Sequence, residues 1–174
     1  MISSSQDAYQ LLEALGAPQR LVKHAFLVME AGESLLAECA RLGVLVDATF
    51  VKIGIVIHDV GKIEFPEELA ASGSMHTKAG ERLLLEHGVA PQIARCCVSH
   101  AYWASMACSL EELLIALADK LWKGKREPLL ETFVIDEVAQ HLGLARWDVY
   151  MELDSEFELV AADGHERLIR STLF

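Results

Sequence analysis

The chain has 174 residues, of which 52% are hydrophobic and 24% charged, a composition typical of a globular rather than a disordered protein. Its formal net charge of −11 argues against a long nucleic acid bound across the surface, because such binding requires a basic face. A small anionic substrate beside a metal ion is compatible with this charge, since the field of the ion can locally oppose that of the protein.

The length fits one domain, or one domain with a small extension. The longest apolar stretch, residues 50–57, is interrupted by Lys52 and is too short to cross a bilayer. The first residues, MISSSQDAYQ, lack a basic region followed by an apolar core, so we expect a cytoplasmic protein with no membrane partner. The four cysteines form neither a C-x-x-C pair nor a disulfide-like framework, which predicts small buried hydrophobic residues.

Helix signals follow one another along the chain, whereas strand signals are scarce, which predicts an all-α fold. Pro18 can begin a helix that runs to a stop at Gly43. Asp47 can cap a second helix, ATFVKIGIVIHDV, with Gly61 as its end. A third helix, HTKAGERLLLEHG, is expected to end at Gly88.

Further helices are predicted along the rest of the chain. Pro91 can begin the helix PQIARCCVSHAYWA. Ser109 and Glu112 form a capping-box pattern that opens LEELLIALADKLWKG. Two more helical segments follow, EPLLETFVIDEVAQHLG and ARWDVYMELDSEFELVAAD. We therefore expect a single all-α domain with a core over about residues 18–127 and a C-terminal helical extension over about 128–174.

Several polar residues lie on segments that are predicted to be buried. His58 and Asp59 follow a helix that is apolar nearly all round, and burying them costs free energy unless they are bound or hydrogen bonded. An adjacent His-Asp pair is a weak signal by itself, so ordinary satisfied core polar groups remain an alternative. His24 and His100 lie on apolar helical stripes, and the same alternative applies to each.

Two more candidates are less distinctive. His76 lies just before its predicted helix, in SGSMHTKAG, where a plain loop histidine is an equal alternative. Asp119 interrupts the apolar run LLIALADKLW, and the alternative is a solvated face that it shares with Glu112 and Lys123. We expect His87 and His141 in the last turn of a helix and His165 in a loop turn, all three outside any site.

The candidates form an ordered set of four imidazoles and two carboxylates: His24, His58, Asp59, His76, His100 and Asp119. Such ligands suit Mn, Fe, Zn, Co or Ni better than they suit metals that prefer thiolates. Asp59 has two carboxylate oxygens and could bridge two ions, with a water activated between them. The pattern therefore predicts a divalent transition metal site that holds one or two ions.

This order resembles the H…HD…D pattern of the HD-domain metal-dependent phosphohydrolase superfamily, in which two further histidines often lie between. HDVGK matches the HD-x-G-K version of the central motif. HDVGKIEFPEEL followed by HTKAGERLL is similar to the HDIG-type branch. The resemblance runs from about His24 to Asp119 and implies an all-α fold, whereas the last fifty residues match no motif.

The resemblance also implies roles for individual residues. It implies one metal held by His24, His58, Asp59 and Asp119, and a second held by Asp59, His76 and His100. The implied reaction is hydrolysis of a phosphate ester of a small molecule, expected to be a nucleotide, by a phosphodiesterase or phosphomonoesterase that uses metal-activated water. Asp59 and Lys62 are then the expected catalytic residues. Four cations could contact the substrate phosphate, with a solvated surface charge as the alternative for each: Lys62, Lys78, Arg82 and Lys123.

Departures from the family patterns narrow the substrate class. His100 is followed by AYWASMACS, which contains neither the His-His-Glu nor the Gly-Tyr-Pro motif of the cyclic-di-GMP branch. HDVGK also lacks the glutamate of the guanosine tetraphosphate hydrolases and 5′-deoxynucleotidases. HD nucleases share HD-x-G-K, but only the short cluster KLWKGKRE offers a basic track, so no extended nucleic acid partner is expected.

Two other functions are compatible with the same six residues. Some members of the superfamily use a di-iron site with the same six ligands for oxygen-dependent cleavage, and the set in this chain permits that chemistry. The chain could also be a non-catalytic, metal-stabilised nucleotide-binding or sensory module. The stretch after residue 128, which includes Trp147, could then form a partner or homodimer face, with ordinary core packing as the alternative.

Overall fold

The computed structural model of the protein describes residues 2–173, and every regular element within them is helical. The α-helices are α1 Ser5–Ala14, α2 Gln19–Leu42, α3 Ala48–Ile57, α4 Met75–Glu86, α5 Pro91–Ala94, α6 Cys96–Tyr102, α7 Leu110–Leu121, α8 Pro128–Leu142, α9 Arg146–Ala162 and α10 Gly164–Thr172. Short 3₁₀ turns lie at Val60–Ile63, Pro66–Leu69 and Trp103–Ser105. The prediction of an all-α fold is confirmed.

Several predicted helix ends are confirmed because their capping groups act as the sequence indicates. Helix α2 follows Pro18 and ends at Gly43, whose φ of 79° is the left-handed conformation that favours glycine. The Asp47 carboxylate accepts a hydrogen bond from the backbone N–H of Phe50 at the start of α3. At the start of α7, the side chains of the predicted capping box bond reciprocally to the backbone.

Other boundaries differ from the prediction. Gly61 does not end α3, which stops at Ile57; Gly61 is buried inside the following 3₁₀ turn because another backbone packs directly against it. The helix expected from Pro91 onwards is divided at Arg95 into α5 and α6. His76 lies inside α4 rather than before it.

The two ends of the chain contain helices that the sequence reasoning did not identify. Helix α1 packs against α3 and buries Ala8 and Leu12 completely. Helix α10 includes His165, which had been expected in a loop turn, so that prediction is wrong. Both helices depend on contacts with distant segments, which short-range patterns do not report.

The centre of the core is formed by α2, α3 and α7, which pack against one another. Helix α3 is buried along most of its length, and the residues concerned are at most 2% exposed: Val51, Ile53, Ile55, Val56 and Ile57. Full burial of one such side chain contributes about 1.5–3 kcal/mol. The packing of these apolar side chains holds the end of α3 in the interior of the molecule, and His58 and Asp59 follow directly after it.

The C-terminal helices share this core. Helix α8 packs against α7 and α9, and α9 also contacts α2. Leu130, Val134 and Phe157 are completely buried in the same cluster, whereas Trp147 and Met151 remain 72% and 70% exposed. Core packing thus accounts for part of the stretch after residue 128, and a homodimer through its exposed part stays a prediction.

Two further expectations concern membranes and cysteines. Within residues 2–173 no single helix is long and apolar enough to cross a bilayer. One bent pair of helical segments, Pro91–Ser105 and Leu110–Leu121, is together long and apolar enough by length and composition alone. All four cysteines are free thiols. Cys39, Cys96 and Cys97 are buried as predicted, and Cys108 is partly exposed.

Candidate metal centre

The fold brings the six predicted ligand residues together, although they come from five different helical segments. His24 comes from α2, His58 and Asp59 from the end of α3, His76 from the first turn of α4, His100 from α6 and Asp119 from α7. Five of them are at most 8% exposed, and the His24 side chain is 18% exposed. The solvated face proposed as an alternative for Asp119 is wrong, because Asp119 and Glu112 are both buried.

One group of donor atoms surrounds a common point. The Nε2 atom of His24 lies 3.3 Å from Nε2 of His58, 3.2 Å from Oδ2 of Asp59 and 3.4 Å from Oδ1 of Asp119. His58 Nε2 lies 3.6 Å and 3.4 Å from the same two oxygens. Nitrogen and oxygen ligands bind such ions at about 2.0–2.2 Å, so donors around one ion lie roughly 3.0–3.6 Å apart. These four residues, called the first ligand set below, fit one divalent ion.

A second group faces the other oxygen of Asp59. Oδ1 of Asp59 lies 3.1 Å from Nε2 of His76 and 3.5 Å from Nε2 of His100. His76 Nε2 is buried and faces this oxygen without a well-aligned hydrogen bond, an arrangement that a shared metal ion would satisfy. Asp59, His76 and His100, called the second ligand set below, therefore fit a further ion.

The two sets lie against each other. His58, His100 and Asp119 also place donor atoms within 4.8 Å of one another, across the boundary between the sets. The rings of His58 and His100 meet edge to face, with their centroids 4.8 Å apart. The arrangement is therefore one continuous cluster, in which Asp59 supplies one oxygen to each side.

Hydrogen bonds fix the orientation of three of the histidine rings. Nδ1 of His58 lies 2.7 Å from the carbonyl oxygen of Ile55, and Nδ1 of His100 lies 3.1 Å from that of Cys96. Because a carbonyl oxygen only accepts, each Nδ1 must donate, so in the neutral ring the lone pair is on Nε2, which faces the cluster. Such contacts are the usual support of metal-binding histidines.

His76 is supported by a carboxylate instead. Its Nδ1 lies 2.5 Å from Oε2 of Glu68, and the same carboxylate accepts hydrogen bonds from the backbone N–H groups of Met75 and His76. Glu68 therefore fixes both the ring of His76 and the start of α4. A carboxylate–histidine pair of this kind raises the basicity of the ligand nitrogen.

The ionisation of the carboxylates suits metal binding. Burial by itself raises the pKa of Asp59, but the histidines around it, His58 and His24 foremost, hold that pKa well below its usual range. Burial likewise opposes the ionisation of Asp119, and hydrogen bonds with His24 and His58 keep its pKa well below the usual range. Both carboxylates are therefore ionised at neutral pH, as metal binding requires.

The histidines differ among themselves. Burial lowers the pKa of His100 to about 4, with His58 adding to the effect, so His100 is neutral and can act as a ligand at neutral pH. Burial also lowers the pKa of His24, but its hydrogen bonds with Asp119 and Asp59 outweigh this and raise the pKa to about 9. A metal that binds here must therefore displace a proton from His24.

Gly61 of the HDVGK motif brings the second ligand set together. A Cβ atom at this position would lie 1.9 Å from the backbone oxygen of His76 and 2.6 Å from the backbone nitrogen of Gly80. Only glycine permits this approach between the 3₁₀ turn and α4. The contact places the first turn of α4, with His76, beside Asp59.

A cavity of about 540 Å³ opens onto the cluster. Five of the six residues line it, together with Glu68 and Trp122, whereas His58 does not. Four cationic side chains line the same cavity: Arg20, Lys62, Lys120 and Lys123. The lining of the cavity therefore combines ligand carboxylates with four cations, within a strongly acidic protein.

The predicted phosphate contacts divide into two groups. Lys62 and Lys123 line the cavity, and Nζ of Lys62 lies 2.6 Å from Oδ2 of Asp59. Lys78 is exposed and does not line the cavity, and Arg82 pairs with Glu64 and Glu86 on the surface. The structure therefore does not bring Lys78 and Arg82 to the site.

Sequence reasoning missed several residues of the cavity. Glu68 precedes His76 by eight residues across an irregular loop, so no helical spacing links them. Arg20 lies one turn before His24 on α2, and this spacing was a usable signal. Leu168 and Ser171 reach the cavity from α10, and no local pattern predicts that docking.

Comparison with known proteins identifies the family of this chain. A model of the HD domain matches residues 21–122, more than half of the chain. No curated protein and no solved structure matches the chain significantly. The match includes all six residues of the cluster and ends before α8. The chain therefore belongs to the HD domain family, whose members bind divalent metals and are mostly metal-dependent hydrolases.

Proposed function

We propose that the protein is a metal-dependent phosphohydrolase that cleaves a phosphate ester of a small molecule, of nucleotide size. The observation that carries this proposal is the positive charge in the lining of the cavity that opens onto the cluster. Four cations line it in a chain whose net charge is −11. Two of them, Lys62 and Lys120, pair with ligand carboxylates, whose charge bound metal would also offset, so the lining favours an anionic substrate.

The ligand chemistry supports a resident divalent transition metal. The first ligand set would hold one ion and the second a further ion, with Asp59 shared between them. Bound metal supplies activation of water and stabilisation of the charge that develops on a phosphate oxygen. Imidazole and carboxylate donors suit Mn, Fe, Zn, Co and Ni.

The residues of the chain then have distinct tasks. Asp59 orients the two sides of the cluster through its two oxygens, and buried neighbours hold it in one position. Lys62, held by its contact with Asp59, presents an ammonium group at the cavity, where it would neutralise a non-bridging oxygen of the substrate phosphate. Trp122 lines the cavity and packs edge to face against the ring of His24.

The size of the cavity agrees with a substrate such as a nucleotide. Small-molecule sites typically enclose about 300–1,000 Å³, and the cavity of about 540 Å³ falls in the middle of this range. A polymeric nucleic acid is disfavoured because the acidic surface outside the cavity would repel it. The di-iron oxygenase alternative uses the same ligand set, and measurement of oxygen uptake distinguishes it from a phosphohydrolase.

The test is a panel of phosphomonoesters and phosphodiesters, assayed with the protein loaded in turn with Mn²⁺, Fe²⁺, Zn²⁺, Co²⁺ and Ni²⁺. We expect release of phosphate or of a phosphomonoester with at least one metal. His58→Ala should reduce kcat/KM at least about 100-fold, because one ligand of the first set is removed. His141→Ala is the matched control, since that histidine is exposed on α8, and it should retain the activity.

Two results would contradict the proposal. One is the absence of turnover across the panel with every metal, together with identical behaviour of the His58→Ala protein. The other is substrate-dependent oxygen uptake by the iron-loaded protein without release of phosphate, which would favour the oxygenase. Tight nucleotide binding without turnover would instead favour a non-catalytic module.

A further inference from the structure

Arg20 differs from the other arginines of the protein. The others each contact a carboxylate within 4.0 Å: Arg41, Arg82, Arg95, Arg126, Arg146, Arg167 and Arg170. Arg20 is exposed to solvent, makes no such contact with any residue in the range 2–173, and lines the cavity. Lys123 also lines the cavity, is partly buried, and has no carboxylate partner in the part of the chain that the structure describes. Two cations without partners in one cavity are suited to an anionic ligand.

The positions of these cations define their distance from the cluster. Arg20 precedes His24 by four residues on α2, and Lys123 follows Asp119 by four, in the turn after α7. Four residues of helix correspond to about 6 Å along the axis. The backbone of each cation therefore lies about one helical turn from a ligand of the first set, and both side chains line the same cavity as those ligands.

Helix α10 completes this part of the cavity. Leu168 and Ser171 line it, and the helix is held in place by ion pairs between Arg170 and Glu30 of α2. The buried Arg167 donates hydrogen bonds to the carbonyl oxygens of Val160 and Trp122. Such a docked helix provides a fixed wall rather than a mobile tail.

This part of the cavity lies outside the HD domain match. The match covers residues 21–122 and contains the cluster, whereas Arg20, Lys123, Leu168 and Ser171 all fall beyond its ends. The match therefore contains the metal ligands, whereas these four residues lie outside it, Arg20 and Lys123 by one residue each.

We propose that Arg20 and Lys123 form a subsite for a second anionic group of the substrate, about one helical turn from the phosphate that reacts. The substrate is then a small molecule with two separated anionic groups, such as a bisphosphate, and a simple monoester lacks the second contact. This inference rests on the proposed function for the identity of the reacting group, but the charge subsite itself is a matter of binding. It can therefore be tested without turnover.

The test compares the binding of two ligands whose C–P bonds are not hydrolysed, propane-1,3-bisphosphonate and propylphosphonate. The bisphosphonate carries two anionic groups about one helical turn apart, and the monophosphonate lacks one of them. Calorimetric titration of the metal-loaded protein should give at least about 10-fold tighter binding of the bisphosphonate. Arg20→Gln and Lys123→Gln should each remove most of that preference, and Arg20→Lys should retain part of it because the charge is kept.

Lys52→Gln is the matched control, because it removes the same charge at a site outside the cavity and should leave the preference unchanged. Equal binding of the two ligands by the unmodified protein would overturn the inference, and so would equal losses in Arg20→Gln and Lys52→Gln. If phosphate esters are hydrolysed but no preference exists, the subsite fails and the proposed function stands. If the preference exists without any turnover, the subsite stands and the proposed function fails.

Discussion

The first and second ligand sets share Asp59, but different kinds of structure hold them. His24, His58 and Asp119 come from α2, α3 and α7, the helices that pack together at the centre of the core. His76 and His100 come from α4 and the short helix α6, and His76 depends on the Gly61 contact and on Glu68. The first set therefore forms with the core itself, whereas the second depends on a few local contacts and can be broken separately.

The largest expected effect comes from Asp59→Asn, because both ligand sets lose a negative oxygen. An amide cannot supply two anionic donors, so the capacity for both ions should fall and kcat/KM should drop at least about 10³-fold. Metal content and phosphate release measure these changes. Asp148→Asn makes the same chemical change at an exposed position of α9 and should have no effect on either. Retention of both ions by Asp59→Asn would contradict a shared carboxylate.

Gly61→Ala should break the second set while leaving the first. The added Cβ would meet the backbone oxygen of His76, so the first turn of α4 must move away from Asp59. We expect a loss of stability of about 1–3 kcal/mol. This corresponds to a fall in Tm of about 2–4 °C for each kcal/mol in a chain of this size, with one ion lost.

Gly88→Ala separates the steric effect from general destabilisation. Gly88 has a φ of 73° with no atom near its missing Cβ, so alanine there is strained by the backbone alone. That variant should lose stability by about 1–2 kcal/mol and keep its full metal content. If both variants kept the same metal content, the Gly61 contact would not position His76.

A smaller effect is expected from Glu68→Gln, which keeps the shape of the side chain but removes its charge. The His76 ring then loses its charged hydrogen-bond partner, and affinity for the ion of the second set should fall about 10–100-fold. Titration of the metal-free protein with Mn²⁺ or Co²⁺ measures the two affinities. Glu67→Gln, at the exposed neighbour, should change neither. A loss confined to the first set in Glu68→Gln would reverse the assignment.

Much of the fold could be predicted from the sequence because its signals are local. Asp47, the capping box at Ser109 and the glycine at Gly43 define helix ends through groups within three residues of the boundary. The prediction that Gly61 ends α3 was wrong for the same reason. A glycine after an apolar helix usually marks an end, whereas this one accommodates the backbone of a segment fifteen residues further along the chain.

The cluster could be anticipated as a set, since its six residues interrupt apolar faces or follow them in a recognisable order. The residues that surround and support the cluster could not be anticipated in this way. Glu68, Arg20 and the residues of α10 reach the site through contacts that exist only after the helices have packed. Exposed candidates such as Lys78 and Arg82 had equally suitable charges, and their helix simply directs them elsewhere.

The most direct test of the account is the metal content per chain, measured by elemental analysis of protein purified without a chelator or a histidine tag. His76→Ala is measured alongside, because His76 contributes only to the second ligand set. The account predicts close to two ions in the unmodified protein and close to one in the variant. Equal metal content in the two proteins would contradict the separate second set, and no metal in either after reconstitution would contradict the metal centre itself.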